Sequence, residues 1–218
     1  MKIFWDLDGP ILDVSEKHYS LYHDILLANN MRVLPKKEYW KLKRSGSSLN
    51  VILSKTNSEN IHNLFKGIWL DEIETSKYHA LDKLQSGIID SLNKIYKKNN
   101  LVLVTLRQNR RRLLAQLRDL CLIDLFEAIL NSGDDIKPRW KIKYNLINKY
   151  LNGNLNKEYC IIGDTKTDIE AGKHLGFTTI AIDRGIRNKQ NLKESNPDYI
   201  FSSIPEINNY FQSKELVS

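Results

Sequence analysis

The stretch Phe4-Trp5-Asp6-Leu7-Asp8-Gly9-Pro10 decides how the rest of the chain is read. With Lys2-Ile3 before it, the apolar run suits a short buried strand, and it stops abruptly at two carboxylates followed by Gly-Pro. A strand ending in acids delivers them to a loop at its carboxyl end. That is where open parallel sheets gather their ligands.

Outward from this point the pattern separates into two parts. After residue 84, short apolar runs alternate with helical periodicity. Strands are predicted at 101–104, 128–130, 159–162, 179–182 and 199–201, with helices at 83–98, 109–120, 140–151, 167–175 and 204–213. Continuous apolar strands between helices indicate a parallel sheet covered on both faces, a three-layer Rossmann-like α/β core. Residues 14–84 carry helical patterns and no convincing strand. Leu21, Ile25 and Ala28 share a face, and the breaks Ser45-Gly46-Ser47-Ser48 and Thr56-Asn57-Ser58 separate shorter helices. The expected organisation is a core of residues 1–13 and 85–218 with a small all-helical insertion at 14–84.

Composition narrows the class. At 218 residues, 41% hydrophobic and 27% charged, the chain matches ordinary globular proteins. No apolar run approaches the ~20 residues of a membrane span. Cys121 and Cys160 form neither a disulfide framework nor a clustered metal site. A soluble cytoplasmic protein without a membrane partner is expected. Twelve basic and no acidic residues fall within 97–118 and 137–149, which leaves −5 for the remainder of a chain totalling +7. Such concentration attracts an anion, either a phosphorylated small molecule or a nucleic acid. With aromatic residues at 9% and no stacking platform, nucleic acid is the weaker reading.

The predicted strand ends carry Asp6 and Asp8, then Thr105, then Gly163-Asp164 with Asp168 four residues on. Lys137, Lys141 and Lys143 precede or open a helix between them. Several ionised acids crowded together want a divalent cation, and an all-oxygen donor set favours Mg²⁺. Asp13 suits a helix cap better than a catalytic role.

These residues carry a resemblance that spans the chain. FWDLDGPILD (4–13), LVLVTLRQN (101–109) and IIGDTKTDIEAG (161–172) resemble, in order, the first, second and fourth motifs of the haloacid dehalogenase superfamily. Lys137-Pro138 fits its third, which is only a lysine; Lys141 and Lys143 compete, and Lys137 is favoured. Pro10 departs from the usual Thr, and Leu106-Arg107 from the usual small or polar residues. The resemblance implies the phosphatase branch with a helical cap between the first two motifs, similar to phosphoglycolate phosphatases and beta-phosphoglucomutases. It implies Asp6 as nucleophile and Asp8 as general acid and base, with Thr105 and Lys137 stabilising the phosphoryl group. Asp6, Asp8 (through its carbonyl), Asp164 and Asp168 (as support) would hold Mg²⁺. Arg107, together with Lys43 and Arg44 at a polar break in the cap, would reach substrate. The expected activity is hydrolysis of a small phosphomonoester by a monomer or weak homodimer. A phosphosugar mutase and a nucleic-acid end phosphatase stand as alternatives. An acid rather than a neutral residue at position 8 argues against carbon–halogen cleavage, which leaves no alkoxide to protonate.

Overall fold

A computed structural model describes residues 1–133 and 137–215. The chain opens with β1 (Lys2–Trp5), turns, and forms the two-residue β2 (Leu12–Asp13). Five helices follow: α1 (Ser15–Ala28), α2 (Lys36–Arg44), α3 (Leu49–Ser54), α4 (His62–Glu72) and α5 (Ser76–His79). β3 (Lys83–Leu84) then returns to pair antiparallel with β2. From there helix and strand alternate: α6 (Ile88–Tyr96), β4 (Asn100–Thr105), α7 (Arg110–Asp119), β5 (Ala128–Asn131), α8 (Trp140–Tyr150) and β6 (Cys160–Gly163). The chain closes with α9 (Lys166–Leu175), β7 (Thr178–Ile182), α10 (Lys189–Lys193), β8 (Tyr199–Phe201) and α11 (Ile204–Glu215). Among the described residues, no helix is long and apolar enough to cross a membrane.

Six strands form one sheet in the order β5-β4-β1-β6-β7-β8, parallel throughout. This is the covered parallel α/β sheet that the apolar runs predict. Alternate residues of each strand point to opposite faces, and both faces are apolar. Ile3, Trp5, Leu101, Leu103 and Ile162 pack toward α6, α7 and α11. Phe4, Val102, Val104 and Ile161 pack toward α8 and α9, with Phe4 stacked on Phe177 at 5.4 Å between centroids. Burial of each such side chain is worth about 1.5–3 kcal/mol, which fixes the strand register and the direction in which Asp6 emerges.

Helices α1–α5 close around a cluster of their own, built on Leu21, Tyr22, Ile25, Tyr39, Leu53 and Phe65. Ala28, expected on that inner face, is not part of this cluster. The sequence also predicts a single helix over 83–98. Instead Lys83 and Leu84 pair with Asp13 and Leu12, and the helix waits until Ile88, beyond Gly87 at φ +77°. The pairing is too short for periodicity to register, and α10 escapes prediction for the same reason. Asp13 is not the N-cap of α1, a position that Val14 takes without a side-chain bond; it serves the turn just before, its Oδ1 accepting from the Ser15 amide at 2.9 Å.

Candidate active site

β1 lies between β4 and β6, at the point where the chain changes direction across the sheet, so its carboxyl end opens into the crevice that such topology creates. The Asp6 amide donates to the Ile162 carbonyl at 2.9 Å and extends the β1–β6 ladder by one bond. Asp6 therefore sits on rigid backbone. Two buried charge clusters radiate from it and from Asp8.

The first cluster is rich in acid. One ligand oxygen each from Asp6, Asp164 and Asp168 lies within 4.8 Å of the others. The cation that meets them is Lys143 of α8, whose Nζ is 2.7 Å from Asp6 Oδ1 and also bonds Asp168 Oδ1. Asp168 is fully committed, because its Oδ2 accepts from the Thr165 amide at 3.1 Å and hydroxyl at 2.7 Å at the start of α9. Asp164 is not. Its Oδ2 accepts from the Ile186 amide, while Oδ1 is buried without a partner among the described residues. The backbone wraps this carboxylate closely: a Cβ on Gly9 would stand 2.1 Å from Oδ2, and one on Gly185 1.9 Å. Gly9 also takes φ +114°, which other residues rarely adopt. Burial pushes the Asp6 carboxyl up to about 7 against the pull of Lys143. Burial beside Asp6 and Asp168 raises Asp164 well above the ordinary carboxylate range. An orphaned carboxylate oxygen in an all-oxygen acid cluster fits a hard divalent cation such as Mg²⁺. Asp6 and Asp164 have the free oxygens to hold it, and Asp168 supports them through Lys143.

The second cluster is balanced. Asp8 accepts from Arg107 twice, at Nε (2.9 Å) and Nη2 (2.6 Å), and from Lys17 of α1 at 3.2 Å. Arg107 and Lys17 also meet Asp82, just before β3, at 2.8 and 2.9 Å. Gln116 of α7 bonds Asp82 at 3.0 Å and receives Arg107 Nη1. Burial alone would raise Asp8, but Arg107 and Lys17 outweigh it and hold its carboxyl well below the usual range. His79 beside Arg107 is drawn down to about 3 by burial and that guanidinium, so it is neutral. Thr105, at the end of β4, is buried; its Oγ1 accepts from the Arg107 amide at 3.3 Å, which leaves the hydroxyl proton free to donate.

The expected site residues divide accordingly. Asp6, Asp8 and Thr105 line one cavity of about 360 Å³, with Asp164 and Asp168 behind it. Lys137 does not join them: it is exposed in the turn before α8, and Lys143, further along and inside that helix, makes the contact with Asp6. Lys141 is also exposed. Arg107 lines the cavity with its guanidinium already spent on Asp8, Asp82 and Gln116, so it is not a free substrate ligand. Lys43 lines the cavity, whereas Arg44 turns aside to donate to the carbonyls of Asp183 and Arg187. Arg110, Arg111 and Arg112 line no part of it; Arg110 bonds Asn131 and Arg112 the Glu74 carbonyl. Sequence reading missed Lys17, Asp82, Glu74, Arg139 and Arg187. For Lys17 a signal existed: it shares a face with Leu21 and Ile25 at helical spacing, a lysine on a buried stripe.

An α/β sheet with acids at the ends of β1 and β6, a lysine from the intervening helix and a helical insert after β1 defines a class of hydrolase. The chain belongs to the haloacid dehalogenase-like hydrolase family, whose model matches residues 3–182. Its fold is similar to that of a haloacid dehalogenase-like family protein from Streptococcus pneumoniae (TM-score 0.77, 22% identity, covering 96% of this chain and 97% of that one). A predicted phosphatase from Clostridium acetobutylicum is similarly close in fold (TM-score 0.75, 20% identity, 97% and 98% covered). In sequence, the chain is 22% identical over 123 residues to the pyrophosphatase PpaX of Halalkalibacterium halodurans. That match spans 56% of each protein.

Proposed function

We propose that this chain is a Mg²⁺-dependent phosphatase that hydrolyses a small phosphorylated metabolite through an aspartyl-phosphate on Asp6. The observation that carries this reading is Asp6 itself, a carboxylate on rigid backbone at the end of the central strand, 2.7 Å from Lys143 and beside the orphaned Asp164. When bound, Mg²⁺ would screen the repulsion between the Asp6 carboxylate and an anionic phosphate.

An Asp6 oxygen forms a bond to phosphorus as the ester bond to the leaving oxygen breaks. Asp8, an ionised carboxylate here, relays a proton from the monoanionic substrate phosphate to that oxygen. It then takes one from the water that cleaves the Asp6–phosphorus bond and returns it to solvent. Inorganic phosphate departs and Asp6 is restored. Lys143 offsets charge gathering on the phosphoryl oxygens, and the Thr105 hydroxyl donates to one of them. The helical segment, taken as a cap over 14–84, excludes bulk water and presents Lys43 to the leaving group.

Phosphate release from p-nitrophenyl phosphate and a panel of phosphomonoesters tests this reading. Dialysis against chelator is expected to abolish release and millimolar Mg²⁺ to restore it. Asp6→Asn is expected to fold and lose turnover by at least about a thousandfold, because an amide cannot form the acyl phosphate. Full activity in chelator, or Asp6→Asn within tenfold of the parent, would contradict it.

A further inference from the structure

Away from Asp6, the same cavity carries a cationic wall of which the chemistry above uses only Lys43. Six Lys and Arg side chains line the cavity. Lys17 and Arg107 are committed to Asp8 and Asp82, and Lys143 to Asp6 and Asp168. Lys43, Arg139 and Arg187 remain, and among the described residues none of the three forms an ion pair with a carboxylate. The cavity's other acid, Glu74, has both oxygens taken, accepting from the Gln108 and Asn109 amides at 2.7 Å each.

The three cations come from separate elements. Arg187, in the loop after β7, donates to the Lys43 carbonyl at 2.9 Å and the Ile186 carbonyl at 3.2 Å. Lys43, near the end of α2, lays its ammonium over the Trp69 ring at 5.0 Å. Arg139 stands just before α8. Burial, then Arg187 and Arg139, draw the Lys43 ammonium down to about 8, so it stays mostly charged at neutral pH. Three like charges converging on one cavity repel one another; Asp164 acts on Arg187 from a distance but forms no ion pair with it, and an anion entering from solvent relieves the arrangement. A transferred phosphoryl group does not fill this role, since it is bound beside Asp6, Thr105 and Lys143.

We propose that Lys43, Arg139 and Arg187 form a subsite for a second anionic group, a carboxylate or a further phosphate, carried on the leaving portion of the substrate. The proposal rests on the phosphatase reading of Asp6 and names the class of substrate. A cavity of about 360 Å³ lies near the small end of ligand sites, so the substrate is a short bis-anion with one reactive phosphoryl end. Neutral alcohols and amino alcohols make poor leaving portions here, the latter because their ammonium would face three cations.

Binding to the full-length Asp6→Asn protein, at ~150 mM salt, separates this proposal from the hydrolytic one. The probes are 3-phosphonopropionate and propylphosphonate, which match in length and differ in ending with carboxylate or methyl; methylenediphosphonate supplies the phosphate arm. At least one bis-anion is expected to bind about tenfold or more tightly than propylphosphonate, and which one does so identifies the second anion. Lys43→Met and Arg139→Gln are each expected to cut that preference at least about threefold, and together to bring it within about twofold. Equal affinity for all three probes, or a preference that survives the double substitution with the fold intact by circular dichroism, overturns the subsite. Wild-type turnover of p-nitrophenyl phosphate is read in parallel. Its absence would defeat the phosphatase reading while leaving the binding preference to be judged on its own.

Discussion

Two buried charge clusters lie on either side of Leu7, and they are built on opposite plans. Around Asp6, three carboxylates share Lys143, and one oxygen of Asp164 has no partner among the described residues. Around Asp8, two carboxylates face two cations, with Gln116 completing the set. A buried acid without compensation costs several kcal/mol, so the first cluster holds Asp6 and Asp164 toward their protonated forms and fits a divalent cation. The second is balanced in charge, although Asp82 Oδ1 is likewise buried without a hydrogen-bond partner among the described residues. It joins α1, the approach to β3 and the loop after β4, and so holds the helical segment and the sheet in one arrangement around Asp8.

The contrast can be broken most strongly from the balanced side. Arg107→Met leaves the buried Asp82 and the half-buried Asp8 with Lys17 alone, and is expected to cost about 3–5 kcal/mol of stability, read by urea unfolding. A loss under about 1 kcal/mol would mean the cluster is not the joint described. The opposite sign is expected from the acid-rich side. Asp164→Asn removes an uncompensated charge, and should stabilise the metal-free protein by about 1–3 kcal/mol while abolishing any rise in Tm on adding Mg²⁺. A falling metal-free Tm, or a surviving Mg²⁺ shift, would count against the site.

Acidity sharpens the same comparison. Asp6 is raised to about 7 and Asp164 is raised as well, so the stability they confer when protonated is present at low pH and is lost as pH rises toward and through about 7. Asp8 is lowered; its contribution is present above the ordinary carboxylate pKa and is lost only in strong acid. Buried neutral His79 and His18 act in the opposite sense below about pH 7, so the readout is a difference. From about pH 5.5 to 8 the metal-free Tm is expected to fall relative to that of Asp164→Asn and relative to that in millimolar Mg²⁺. A difference that stays flat over this range would assign control to the wrong cluster. The smallest effect is expected where charge is densest in sequence. Neutralising Arg110, Arg111 and Arg112 together should change stability by less than about 1 kcal/mol and kcat/KM by less than about threefold, because these side chains line no part of the cavity. A thirtyfold loss would restore them to the substrate path.

What could be read from sequence was local. The run into Asp6, the apolar strand ending at Thr105 and Gly163-Asp164 before a helix each state their geometry within a few residues. Lys143 was within reach as well. It lies one turn before Ile147 and two before Leu151, all buried, while Lys141 and Lys137 are exposed. A lysine on an apolar helical stripe, here as at Lys17, is the better indicator of a buried partner than a lysine beside proline. The Asp82–Arg107 and Lys43–Arg187 meetings carry no such mark, because the partners come together only when separate elements pack. Charge density misled for a related reason: it locates basic residues along the chain but not which way their helix faces.

The short antiparallel pair between Leu12–Asp13 and Lys83–Leu84 has a consequence for how this architecture tolerates change. Gln85 reinforces it, its amide donating to the Ile11 carbonyl at 2.8 Å and its side chain to the Gly9 carbonyl at 2.9 Å. With both crossings of the chain clasped side by side, residues 14–82 are to the sheet no more than the loop of a long hairpin. Closing such a loop costs about 4 kcal/mol, and doubling its length adds only about 0.6 kcal/mol. Inserts of very different size and shape can thus hang from one unaltered catalytic frame, and the frame bears almost none of the entropy of exchanging them.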